Sequence, residues 1–195
     1  MAGRPREFDE DKVLEAAMGA FWDNGYESTS LADLVAATGL HKGSLYQAFG
    51  DKHSLFIRSL KRYLSDVRAQ KTAMLAAAES PLSGVRGLFH GFIDMADAEE
   101  DPSKGCLAVK AMTEMAPHDP DVQKVMEEHM AIMQRSIQSQ LEKAQAAGEL
   151  GLEKSPEMVA GLLLVFMNGL ATWANAGASA AEAHDLLEGQ LNALL

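Results

Sequence analysis

Lys42, Ser44, Tyr46 and Gln47 place four hydrogen-bond donors within six residues. Leu40, Leu45 and Phe49 run among them at positions that continue one apolar face. Apolar side chains and donors therefore divide between the two sides of a short helix. Such a helix buries one side and offers the other to a partner rich in hydrogen-bonding edges. His41 opens it, and Gly43 has no side chain to keep a partner's backbone away. Upstream, Thr29 and Ser30 stand where a helix begins, and there hydroxyls and unbonded N–H groups can meet a phosphate. Lys52, opening the next helix, is placed for a second phosphate.

The elements that must hold these residues are legible around them. Residues 30–49 read SLADLVAATGLHKGSLYQAF. Leu31, Leu34 and Val35 form a stripe at i, i+3, i+4. Gly39 permits a tight turn, and the donor-bearing helix follows. Two helices joined by a short glycine-containing turn form a helix-turn-helix, whose second helix enters the DNA major groove by its N-terminal end.

From Phe8 to Phe56 the chain resembles the DNA-binding domain of the TetR family of repressors. The resemblance rests on an ordered series. It comprises an apolar first helix ending in Phe21, then Asn24-Gly25-Tyr26, Thr29, Ala37 and Gly39, then Lys42-Gly43-Ser44-Leu45-Tyr46, Phe49 and Lys52. It implies a repressor of double-stranded operator DNA, with a second, helical domain that binds a small-molecule effector and forms a homodimer. The effector would change the spacing of the paired reading heads and release the DNA. Two positions depart from the family pattern. His41 stands where serine is common, and Ala48 where a histidine or aromatic residue commonly contacts phosphate.

Charge is distributed in keeping with this reading. The net charge is −11, yet residues 1–71 carry ten basic and ten acidic side chains. The remaining residues carry seven against eighteen, so the acidic excess lies entirely in the C-terminal part. A DNA partner is expected at the N-terminal end, with the acidic part facing away. The basic arm containing Arg4 and Arg6 is a candidate to touch the DNA backbone or enter the minor groove.

Other reactive side chains point away from catalysis. The six histidines (His41, His53, His90, His118, His129 and His184) show no zinc spacing and no Glu-x-x-His pattern. No P-loop or dinucleotide fingerprint is present. The reading is therefore of a protein that is not an enzyme and needs no metal or cofactor. Cys106, the single cysteine, excludes an intramolecular disulfide and suits a reducing compartment. It follows Lys104-Gly105 at the expected start of a helix, with Lys110 nearby, and is a candidate electrophile or oxidant sensor. Phe89, Phe92, Met112, Met126, Met130 and Met133 recur at helical spacings and supply core together with an adaptable effector pocket. His90 or His129 could add a polar contact.

Helix boundaries are marked by Ser80-Pro81, Asp119-Pro120 and Ser155-Pro156, each a capping side chain followed by proline at the first helical position. Stops are marked by Gly25, Gly39, Gly50, Gly148 and Gly177. These signals predict an all-α chain with helices near 9–24, 31–38, 42–48, 52–77, 81–98, 104–115, 120–147, 156–176 and 179–194. Residues 1–51 form the helix-turn-helix domain and 52–195 a connecting helix plus the larger effector-binding and dimerisation domain. Val159–Asn175, apolar all round, and Ala180–Leu194 are expected to make the dimer interface. The N-terminus lacks the apolar stretch of a secretory signal, and the longest apolar segment is interrupted by Asn168 and two glycines. A cytoplasmic protein with no membrane partner is predicted. The alternative is a helical ligand-binding or interaction protein that lacks useful DNA affinity.

Overall fold

The computed structural model describes residues 8–97, 105–151 and 153–195. Among these the chain is all-α, with nine α-helices, one π-helical turn and no strand. It divides into two compact units, Met1–Asp66 and Val67–Leu195.

The first unit contains α1 (Glu10–Asn24), α2 (Leu31–Thr38), α3 (Lys42–Phe49) and the start of α4 (Lys52–Ala77). α1, α2 and α4 each begin on a side chain that replaces a missing backbone partner. The Asp9 carboxylate accepts from the amides of Asp11 and Lys12 at the head of α1. Ser30 and Asp33 exchange hydrogen bonds across the first turn of α2, a complete capping box. Asp51 accepts from Ser54 N at 2.7 Å and so caps α4. The core combines Val13, Leu14, Ala17 and Phe21 of α1 with Leu34, Leu45 and Phe49 of the next two helices. Leu55, Phe56 and Leu60 of α4 complete it. Phe21 meets Phe56 edge-to-face at 5.2 Å, and Tyr26 lies 5.0 Å from Phe56.

The second unit begins in the later turns of α4. It continues with α5 (Pro81–Asp97), α6 (Leu107–Lys110) and a π-helical turn (Ala111–Met115). Then come α7 (Pro120–Ala146), α8 (Pro156–Asn175) and α9 (Ala180–Leu194). Asp119 and Ser155 cap α7 and α8 ahead of their first-position prolines, and Ser179 with Glu182 forms a capping box on α9. The core joins Phe89 and Ile93 of α5, Met133 and Ile137 of α7, Leu163 and Met167 of α8, and Leu187 and Leu191 of α9.

One expected helix is shorter than the pattern suggested. The run expected over 104–115 becomes a single α-turn from Leu107 followed by the π-helical turn, with the Ala116 amide bonding the Ala111 carbonyl at 2.9 Å. Helical spacing alone does not distinguish an α-turn from a π-turn, because both keep the apolar side chains inward. In α8, Pro156–Ala174 is long and apolar enough to cross a membrane by length and composition. Here Val159, Leu163, Met167 and Leu170 on one of its faces are packed into the core.

Candidate nucleic-acid interface

The turn between α2 and α3 is set by Gly39. Its φ of 68° and ψ of 4° are left-handed, and its amide bonds the Val35 carbonyl at 3.0 Å. A side chain at that φ is disfavoured, so glycine is needed there for backbone reasons alone. Beyond it, α3 is anchored by Leu45 and Phe49, 1% and 4% exposed. Every α3 residue from Lys42 to Gln47 except Leu45 is exposed, as is His41 before it.

That exposed face is chemically open. His41 occupies the N-cap position but makes no side-chain capping bond, so the amides of the first turn of α3 have no side-chain cap. The positive end of the helix thus coincides with Lys42, whose ammonium lies 5.9 Å from the Tyr46 ring centroid. A Cβ built on Gly43 would meet nothing within 4 Å, so no packing inside the protein requires glycine at that position. Ser30, exposed at the head of α2, has its hydroxyl and amide on the Asp33 carboxylate at 2.7 and 2.8 Å. Those bonds hold Asp33 below its ordinary carboxylate range.

Two expected phosphate contacts are differently placed in the structure. Thr29 is fully buried, and its hydroxyl donates to the Gly25 carbonyl at 2.6 Å and the Ala20 carbonyl at 3.3 Å. Its amide bonds Gly25 O at 3.3 Å as well. Thr29 is therefore a brace between α1 and the entry to α2, and its hydroxyl does not face outward as expected. Lys52 is half-buried, donates to the Glu27 carbonyl at 3.3 Å, and lies 4.5 Å over the Tyr26 ring. Its ammonium is held against the protein, with donor capacity remaining. Arg4 and Arg6 lie outside the described residues.

Arg58 is a further residue that holds this site, and no sequence motif marks it. Its guanidinium stacks 4.7 Å over Phe49, donates to the Ala48 carbonyl at 3.2 Å and pairs with Glu10. It ties α4 to the C-terminal end of α3 and to α1. No spacing rule connects residues so far apart in sequence, so nothing local announced it.

Within the second unit, a cavity of about 90 Å³ is lined by Phe92, Ile93, Cys106, Leu170 and Ala171 among others. Of the eight expected effector contacts, Phe92 and Cys106 line it. Phe89 and Met133 instead sit in the core, and Met126 is likewise buried. Met112 is half-buried outside the lining, and the Met130 sulfur faces the Asn168 amide at 4.0 Å. His90 is committed elsewhere: its Nδ1 lies 2.8 Å from His184 Nδ1 and its Nε2 lies 2.5 Å from Glu188 Oε1. With His184 on Asp94 and Arg86 on Glu188, these residues fasten α5 to α9. His90 and Arg86 hold Glu188 below its ordinary range. Cys106 precedes a helix of four residues, so the dipole expected to act on its thiol is short.

Comparison with known proteins agrees with this geometry. Residues 13–58 match the family of bacterial regulatory proteins of the tetR type, and residues 81–188 match a tetracycline repressor-like C-terminal domain. The HTH-type transcriptional repressor ComR of Escherichia coli is 33% identical over 177 residues, 91% of this chain and 84% of ComR. The regulator YezE of Bacillus subtilis is 33% identical over 153 residues, 77% of each chain. Among solved structures, the TetR-family regulator CifR, as a cysteine mutant on 26-base-pair operator DNA, superposes with a TM-score of 0.84. The two are 30% identical, with 97% of this chain and 99% of that one covered. The reduced form of E. coli NemR shares the fold, with a TM-score of 0.85 at 18% identity, covering 93% and 94% of the two chains. The chain belongs to the TetR family of transcriptional regulators.

Proposed function

We propose that the chain is a homodimeric repressor that reads a pseudo-palindromic operator through α3 and leaves it when a small molecule occupies the second unit. The observation that carries this reading is the outward face of α3. His41, Lys42, Gly43, Ser44, Tyr46 and Gln47 are exposed at an uncapped helix start, which suits base edges and phosphates. Ser30 adds a contact from the head of α2, and Lys52 a weaker one. Residues 1–51 act as the reading head and 52–195 as the effector and dimerisation part. The protein acts in the cytoplasm and catalyses no reaction. The effector enters the cavity of Phe92 and Cys106, where the thiol meets any electrophile that enters. The α4 helix, shared by both units, passes the response to the reading head.

The test is a titration of the full chain against DNA from upstream of its own gene, with random DNA as control. Sequence-specific binding that weakens steeply with salt is expected, and half-sites should lie about 34–36 Å apart or a multiple of it. Equal affinity for both DNAs would remove the reading. For the thiol, Cys106→Ser should abolish any derepression caused by an electrophile; unchanged derepression would exclude covalent sensing.

A further inference from the structure

Among the described residues of the second unit, two cationic side chains act on the charge of a buried imidazole, and no acidic side chain pairs with any of the three. Arg68 and Lys71 are three residues apart on α4 and therefore share a face. His129 of α7 feels both charges. It is 5% exposed, and its Nδ1 has no hydrogen-bond partner. Burial, followed by the charges of Lys71 and Arg68, lowers His129 to about 4, so the ring is neutral at pH 7. Burial lowers Lys71 also, against an opposing pull from Cys106. Among the described residues no carboxylate pairs with Arg68, Lys71 or His129.

A solvated ammonium needs no partner, but a buried imidazole nitrogen does. Neighbouring positive charge without a counter-charge favours a negative ligand over a neutral one. None of the three lines the cavity itself, but Lys71 stands next to residues that do. Its ammonium lies 5.8 Å from the ring centroid of Phe92, and it senses Cys106; both residues line the cavity. The walls beyond are apolar, formed by Ile93, Leu170 and Ala171. Asp97, the carboxylate in the lining, is exposed, so water screens it.

We propose that the second unit binds a small organic acid, its carboxylate held by Lys71 and Arg68 with a further bond to His129 Nδ1, and its apolar body in the cavity of Phe92 and Cys106. A neutral amide of the same shape could satisfy His129 but would leave both cations unpaired. The acid also favours the charged imidazole, so binding raises the His129 titration.

This inference rests on reading the second unit as the effector-binding part, and its test needs no DNA. Benzoate, butyrate and octanoate are compared with their amides by thermal unfolding of the full chain at constant ionic strength. At least one acid should raise the midpoint where its amide does not. Lys71→Met should weaken that acid at least tenfold, and Lys71→Arg should restore it. NMR of the His129 ring should show its titration moving upward on binding. Equal effects of acid and amide, no effect of any acid, or full binding by Lys71→Met would overturn the proposal. Acid binding without operator binding would instead remove the repressor reading and leave this site standing.

Discussion

At the residue scale, Gly43 and Thr29 reverse what their types suggest. A glycine inside a helix costs about 0.5–1 kcal/mol relative to alanine. At Gly43 nothing inside the protein repays that cost, since an added Cβ meets open space. Gly43→Ala should therefore stabilise the fold by up to about 1 kcal/mol while weakening operator binding. Chemical denaturation and a binding titration on one sample check both signs, and unchanged affinity would mean that the DNA backbone does not approach here. Thr29 was legible as important but not in its role. A hydroxyl beside a helix start reads as a phosphate contact until its burial and its bonds to Gly25 and Ala20 are seen. Thr29→Val should lower stability by about 1 kcal/mol and leave the operator affinity of the folded protein intact. His129 adds a pH dependence of definite sign. Its folded value near 4 lies below the ordinary 6.5, so the unfolded chain takes up the proton first. Stability is unaffected by this group above pH 6.5, falls as pH drops toward 4, and levels off below it. The loss amounts to roughly 3 kcal/mol, and His129→Leu should flatten that part of the stability profile.

At the element scale, helix ends were legible because they are local. A capping side chain, the following proline and the closing glycine lie within a few residues, and at Asp119, Ser155 and Ser179 the expected caps form. What escaped was long-range. The π-helical turn after Lys110 and the cavity depend on packing between distant helices. The Arg58 bridge likewise spans α1, α3 and α4. The eight-residue α3 is too short to be stable alone, so its orientation depends on its neighbours. Arg58→Met removes the guanidinium from Phe49 and the donor from Ala48 O. The Glu10 pair is partly exposed and adds little. A loss of about 1–2 kcal/mol is expected, with operator affinity reduced even where the chain remains folded. Amide exchange should quicken in α3 more than in α7; uniform quickening would mean that Arg58 supports the fold without specifically holding the reading helix.

At the scale of the whole molecule, the decisive surface is the side of α8 turned away from the core. Met158, Leu162, Val165 and Trp173 are all exposed, Val165 by 71%. Their spacing of four, three and eight residues keeps them on one stripe, and Gly169 between them presents no Cβ to a neighbour. Leu186 of α9 is another exposed apolar side chain. The sequence signalled this surface as a helix apolar all round, since one packed face cannot account for apolar residues on every side. A second copy of the chain presenting the same stripe would cover it with two-fold symmetry. Dimerisation would also help a chain of net charge −11 approach a polyanion. A single short reading helix offers few phosphate contacts, while two heads in a dimer would double the contacts and bind as one body. Val165→Glu places a charge at the most exposed point of the stripe, where a partner would bury it unpaired, yet in the monomer it faces water at little cost. The variant should sediment as a folded monomer with an unchanged helical spectrum. Its operator affinity should fall at least a hundredfold, and the salt dependence of the remaining binding should become shallower, because fewer phosphates are met at once. A dimer that survives Val165→Glu would place the interface elsewhere on the molecule.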